Sequence, residues 1–384
     1  MTSRLKSLAE AGQGVWLDFV DRKFLADGGL DTLIAEDGLT GVTSNPSIFE
    51  KAMGYGDAYD EGLKAFLKDR PDASAVDAYE SLAIADIQAA ADKLAPVYHR
   101  LKGKDGYVSL EVSPYLANDT DGAVREALRL WQAVDRPNLM IKVPGTAAGA
   151  PAIRTLIEAG LNINITLLFS IDAYEAVAEA YLAGLETRDF KGQPIDQIAS
   201  VASFFVSRID TQMDKKIADL EAAGDSKAAE AKPLAGKIAI ANAKLAYAWY
   251  LDLIASPRWT TLAAKGAMPQ RLLWASTGVK NPDYRDVLYI ETLIGPDTVN
   301  TVPPKTLDAF RDHGEVAPTL AAGRDEAKAV LDKAEALGLD LPGVTTALVE
   351  DGVKQFSDAA DTLLAAVEEK RRAFVQDAAN SPGA

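Results

Sequence analysis

The chain has 384 residues, 48% of them hydrophobic, which is enough to bury the core of one large α/β domain or two ordinary ones. Forty basic residues stand against 56 acidic ones, and the resulting net charge of -16 would repel nucleic-acid phosphates and anionic lipid surfaces alike. There is no cysteine, so thiol catalysis, disulfides and thiolate metal sites are excluded.

The N-terminal residues 1–14 are polar and helix-like, without the apolar centre of a signal peptide, and no apolar run reaches membrane-spanning length. A cytoplasmic protein with neither nucleic acid nor membrane as partner is expected. The first strand-like run, residues 14–19, sets Val15, Leu17 and Phe19 against Trp16 and Asp18. The second, 41–45, ends with Thr43 and Asn45 on one parity.

A helical stretch over 76–98 then leads to the third strand, 107–113. There Val108, Leu110 and Val112 face one way, while Ser109, Glu111 and Ser113 face the other. Helical spacing over 121–133 precedes the fourth strand, 139–143, which puts Leu139, Ile141 and Val143 outward and Met140 with Lys142 inward. Lys142 is the anomaly of this segment, an ammonium group within an otherwise apolar strand. Two readings stay open for it: a covered stem whose head reaches water or a carboxylate, or a neutral amine able to attack a carbonyl.

After a helix at 148–160, the fifth strand, 163–169, presents Ile163, Ile165 and Leu167 opposite Asn164 and Thr166, with Asn162 on the polar parity just before it. A helix at 171–185 leads to the sixth strand, 201–207. The Ala- and Lys-rich segment 209–254 reads as a helical excursion with a break at Asp225 and Ser226. The seventh strand is expected at 271–276 and the eighth at 287–293. Residues 317–375 read as further helices packed on the outside, and 376–384 as a disordered tail.

Eight strands alternating with helices predict an α/β fold, a (β/α)8 TIM barrel rather than an open doubly wound sheet, with additional helices after strand six and at the C-terminus. No linker or repeat divides the chain, so residues 1–384 are expected to form one domain. The two histidines, His99 and His313, lie in helix-end and turn contexts and read as surface residues, which leaves little for a Ser-His-Asp triad or a His-rich metal site.

In such a barrel, inward residues near the strands' C-terminal ends converge. Asp18, Asn45, Glu111, Lys142, Asn164 and Thr166 therefore meet in one place if these strands form. A lysine amine that forms an imine with a ketone needs an acid and a base, which Glu111 and Asp18 can supply. The protonated imine is itself the electron sink, so the chemistry requires neither metal nor organic cofactor. Asn45 and Asn164 would bind substrate hydroxyls, and Thr166 would orient a water between Glu111 and the imine. Ser207-Arg208 after the sixth strand, and the turn from Ala275 through Ser276 to Lys280 after the seventh, suggest an anion site where barrels commonly bind phosphate.

These residues resemble the transaldolase family. The resemblance runs through Trp16-Leu17-Asp18, the stretch from Gly41 to Phe49 around Thr43-Ser44-Asn45-Pro46, Ser109-Leu110-Glu111-Val112, Ile141-Lys142-Val143-Pro144-Gly145-Thr146, Asn164-Ile165-Thr166 and Ser203-Phe204-Phe205-Val206-Ser207-Arg208. It implies that Lys142 carries the Schiff base, Glu111 acts as acid/base through water, and Asp18 is the base for C–C cleavage. Asn45, Asn164, Thr166 and Ser203 would line the sugar site, with Arg208 on phosphate. The implied reaction belongs to the pentose phosphate pathway and moves a dihydroxyacetone unit between sugar phosphates.

Two departures stand out. Lys280 occupies the loop where the family often has an arginine, so its role as second phosphate ligand stays open. The chain is also longer than the short transaldolases, so a homo-oligomer can be neither borrowed nor set aside. A fructose-6-phosphate aldolase is the nearest alternative, and Phe205, where such aldolases tend to carry tyrosine, favours transfer. A sugar-phosphate-binding barrel without catalysis is the other.

Overall fold

Parallel strands covered by helices outside and filled by side chains inside are apolar on most positions, and a polar residue survives on them only where it is paired or functional. In the computed structural model, which describes residues 3–54 and 56–380, the strands are β1 (Gln13–Leu17), β2 (Gly41–Val42), β3 (Tyr107–Glu111), β4 (Leu139–Pro144), β5 (Ile163–Leu168), β6 (Ser200–Phe205), β7 (Arg271–Ala275) and β8 (Thr298–Val302). All pair in parallel in sequence order, and β8 closes on β1. The fold is the expected (β/α)8 barrel. Its first seven strands lie within a few residues of their expected positions, and the helices Ala75–Arg100, Thr120–Val134, Gly149–Ala159 and Ile171–Phe190 cover them.

The eighth strand is not where apolarity suggested. Residues 287–293 contain the short helix Leu288–Glu291, with Val287, Tyr289, Ile290 and Leu293 buried. The strand is instead Thr298–Val302, whose Thr298 and Asn300 give it low hydropathy. These polar groups are paired inside the barrel: Gln13 Nε2 donates to Thr298 Oγ1 at 3.0 Å and Thr277 Oγ1 to Asn300 Oδ1 at 2.9 Å. Hydrogen bonds to distant partners, invisible in a hydropathy profile, let a polar run occupy the core, although Asn300 Nδ2 is left without a partner among the described residues.

Between β6 and β7 the chain forms the helices Ser207–Ala222, Ala228–Ala231, Ile238–Ile254 and Pro257–Ala263, and the expected break at Asp225 and Ser226 falls in the turn after the first. Asp210 ties that first helix to its neighbours, because its Oδ1 accepts from the Ala239 amide at 2.8 Å and its Oδ2 from the Tyr289 hydroxyl at 2.9 Å. Burial pushes the Asp210 carboxyl up to about 7. A carboxyl raised on folding contributes stability that is full below its unfolded pKa and is lost as pH rises through the folded one. Asp210→Asn is therefore expected to gain roughly 2 kcal/mol over wild type at pH 8, and nothing at pH 4, in urea unfolding followed by circular dichroism. An equal effect at both pH values would contradict this assignment.

The C-terminal helices divide. Arg324–Ala336 packs on the outside against Ile238–Ile254. Leu341–Asn380 does not stay outside: it crosses the C-terminal end of the barrel, packing on the helices Pro46–Gly54, Ala75–Arg100 and Ser207–Ala222. Gly352 permits the approach, since a Cβ there would stand 2.7 Å from Leu167 Cδ2 at the end of β5. The same helix runs on to Asn380, into the segment expected to be disordered. No helix breaker precedes Pro382 there. Residues 381–384 of that tail lie outside the described residues. Among the described residues no helix is long and apolar enough to cross a membrane.

Candidate active site

Strand register assembles the polar groups. Glu111 and Lys142 are Cα partners across β3 and β4, as are Lys142 and Asn164 across β4 and β5, so three inward side chains share one level. Lys142 Nζ lies 3.2 Å from Glu111 Oε2, with the two side chains only 6% and 3% exposed. It also donates to the Ser44 carbonyl at 3.3 Å. An ion pair this far from water has lost most of its hydration, so it is costly to maintain and sensitive to the loss of either partner.

The Glu111 oxygens accept no hydrogen bond of good geometry from the described protein atoms, which leaves their lone pairs for water or substrate. Burial pushes the Glu111 carboxyl above its ordinary range, the Lys142 ammonium pulls it back, and the Asp18 charge adds to the rise. Asp18 stands half-buried at the end of β1. Its Oδ1 accepts from Thr43 Oγ1 at 2.7 Å, and that hydroxyl sits 2.7 Å from Thr301 Oγ1 on β8. Burial raises the Asp18 carboxyl too, offset in part by Lys142, Thr43 and Arg208. Two carboxyls with raised proton affinity near one amine form an arrangement suited to proton transfer.

Deeper in the barrel, Ser203 Oγ donates to Asn164 Oδ1 at 2.7 Å and Asn164 Nδ2 donates to Ser109 Oγ at 2.9 Å. Thr166 Oγ1 is buried without a partner. Phe205 packs on Phe169 with ring centroids 5.1 Å apart, and the Arg208 guanidinium lies 5.4 Å above the Phe205 ring. Arg208 Nη1 is buried and has no hydrogen-bond partner among the described residues. Ser276, in the left-handed region at φ 54°, has its Oγ 3.0 Å from Ser207 Oγ. Lys280 is exposed at the rim.

A cleft of about 390 Å³ opens here, lined by Asp18, Asn45, Lys142, Thr166, Ser203, Phe205, Arg208, Ser276 and Lys280. Of the residues singled out from sequence, Glu111 and Asn164 do not form its wall. Asn164 is fully buried beneath it, and Glu111 reaches Lys142 while bordering a second cavity. Asn45 does double duty, since its Oδ1 accepts from the Ile48 amide and starts the helix Pro46–Gly54.

Other lining groups escaped sequence reasoning. Thr301 was hidden by the misplaced eighth strand. Lys51 and Phe356 stand on helices, and the Phe356 ring lies 5.8 Å from Lys142 Nζ. Nothing local in the sequence around Phe356 distinguishes it from an ordinary core position of an amphipathic helix.

Fold and site together define a (β/α)8-barrel enzyme with its polar centre at the C-terminal ends of the strands. The profile of the family described as transaldolase/fructose-6-phosphate aldolase matches residues 15–367. The transaldolase of Thiobacillus denitrificans is 49% identical over 94% of this chain and 99% of its own length. Those of Trichodesmium erythraeum and Thermobifida fusca are 44% and 47% identical, over 96% and 95% of this chain and 98% and 97% of theirs. The chain belongs to the transaldolase/fructose-6-phosphate aldolase family.

Proposed function

We propose that the chain is a transaldolase that carries a dihydroxyacetone unit on Lys142 from a ketose phosphate, sedoheptulose 7-phosphate, to glyceraldehyde 3-phosphate, giving erythrose 4-phosphate and fructose 6-phosphate. The observation that carries this reading is the buried Lys142–Glu111 pair with Asp18 on the neighbouring cleft wall. Glu111 takes the Nζ proton, and the neutral amine attacks the ketone carbon. Glu111 then returns the proton, through a water held by Thr166, to the carbinolamine hydroxyl, which leaves as water and yields the protonated imine. Asp18 removes the proton from the hydroxyl on the far carbon of the bond to be broken, the carbon that becomes the departing aldehyde. The C–C electrons flow into the imine, the aldose phosphate departs, and an enamine stays on Lys142. Attack of that enamine on the acceptor aldehyde, with the proton returned from Asp18, runs the step backwards.

Asn45 and Ser203 bind sugar hydroxyls in this scheme, with Asn164 reaching them through Ser203. Arg208 binds the phosphate, with Ser276 beside it and Lys280 at the rim. An arginine with a buried, unpaired donor supports the first of these roles, since its fork suits a phosphate. The same reading treats residues 1–384 as one barrel domain that includes the helical segments 209–254 and 317–375, and places it in the cytoplasm.

Reductive trapping tests the scheme. With fructose 6-phosphate and borohydride, peptide mass spectrometry is expected to find a reduced three-carbon adduct on Lys142, and its absence would refute the imine. Free dihydroxyacetone released without acceptor as fast as transfer occurs would point to an aldolase instead.

Phe356 and Phe205 both line the cleft, with the Phe356 ring 5.8 Å from Lys142 Nζ. Apolar cover keeps water from the bound enamine and imine. Phe356→Ala is expected to raise free dihydroxyacetone release relative to transfer by roughly threefold to tenfold, about 1 kcal/mol of lost discrimination. An unchanged ratio in a paired enzymatic assay of the two products would remove Phe356 from this role.

A further inference from the structure

Beside the Lys142–Glu111 pair lies a second cavity, of about 350 Å³, whose wall includes Glu111 and Asn45. It is bounded by the helices Ala75–Arg100, Thr120–Val134 and Leu341–Asn380 and by the end of β3. Its wall is mainly apolar, and Phe49, Tyr79 and Leu130 form part of it. At the mouth two apolar side chains stay open to solvent, Val76 at 46% and Tyr115 at 53% exposure. Small soluble proteins have little reason to leave a roomy apolar cavity with an apolar rim unless something enters it.

The polar groups on the wall are acidic in balance. Arg129 is the cation there, and it is already held by Glu80 through bidentate bonds of 2.7 and 2.6 Å. Glu111 is already paired with Lys142 Nζ at 3.2 Å. That leaves Glu126, which accepts the Ser113 amide at 2.7 Å through one oxygen. Glu80, Glu111 and Glu126 all border this space together with Tyr79.

We propose that this cavity binds a small amphipathic amine, with its apolar body against Phe49, Tyr79 and Leu130 and its ammonium group directed at Glu126. A cation complements Glu126 and gains from the aromatic faces, whereas an anion of the same shape is repelled. Among the described residues that wall the cavity, Asn45 alone also walls the substrate cleft, so sugar phosphate and amine are expected to bind together.

Isothermal titration calorimetry on the full-length protein tests this with tryptamine as the cationic probe and indole-3-propionate as its anionic counterpart. The expected result is saturable one-to-one binding of tryptamine, at least tenfold tighter than indole-3-propionate and unaffected by saturating fructose 6-phosphate. Glu126→Gln is expected to weaken tryptamine at least tenfold, and Asp121→Asn, on the same helix but outside the cavity, to leave it unchanged. Val76→Trp, which plugs the mouth from an exposed position, should weaken binding to the same degree and provides a second test if Glu126→Gln fails to fold. Absence of saturable binding, equal affinity for the two probes, displacement by fructose 6-phosphate, or indifference to both Glu126→Gln and Val76→Trp would each overturn the proposal. These measurements read binding alone, so their failure leaves the trapping result at Lys142 untouched.

Discussion

Lys142→Met is expected to lower transaldolase turnover by at least ~10⁴-fold and to abolish the borohydride-trapped adduct, because Lys142 is the amine paired with Glu111. Methionine keeps most of the stem's volume while removing the nucleophile, so the barrel should still form. The variant leaves Glu111 buried without its cation, and Glu111 is expected to respond by holding its proton rather than by unfolding the chain. Steady-state rates with a coupled assay for erythrose 4-phosphate, together with far-ultraviolet circular dichroism, separate the two effects. Substantial turnover in a folded Lys142→Met protein would disprove the covalent mechanism outright.

Asp18→Asn should stop the reaction at a different stage. Imine formation needs Lys142 and Glu111, which this change leaves in place, whereas C–C cleavage needs the base. Turnover is expected to fall by ~10²- to 10⁴-fold, the usual range for a lost general base. The distinguishing result lies in the adduct: borohydride should capture the intact six-carbon ketose phosphate on Lys142 rather than the three-carbon fragment. A three-carbon adduct at the wild-type level would assign the cleavage base elsewhere. In the unaltered protein, burial raises Asp18, so the base is lost as pH falls through a value above the ordinary carboxylate range. The acid limb of the kcat profile should therefore lie above that range and vanish in Asp18→Asn.

Much of the site could be read from the chain because parallel barrels convert a local pattern into a global position. Alternation within a strand says which side chains face inward, and in this fold the inward residues at the strands' C-terminal ends meet. That logic brings Asp18, Asn45, Lys142 and Thr166 to one cleft and Glu111 against Lys142. It failed for β8, where Thr298 and Asn300 are held by partners far away in sequence, and so it missed Thr301. It also treated Asn164 as a wall residue, although its hydrogen bonds to Ser109 and Ser203 hold it below the cleft.

Periodicity and residue type alone thus determined the barrel, the inward lysine and the two carboxylates set near it, because each depends on the backbone's own two-residue repeat and on the cost of burying charge. Only the tertiary structure decided that the helix Leu341–Asn380 crosses the barrel mouth and delivers Phe356 to the lysine. It likewise decided that Glu111 borders two spaces at once, the lysine on one side and a second cavity on the other. An amphipathic helix records in its sequence that it has an apolar face, but not which surface that face will cover. That choice depends on contacts between residues hundreds of positions apart, where shape and available space, rather than local pattern, determine what packs together.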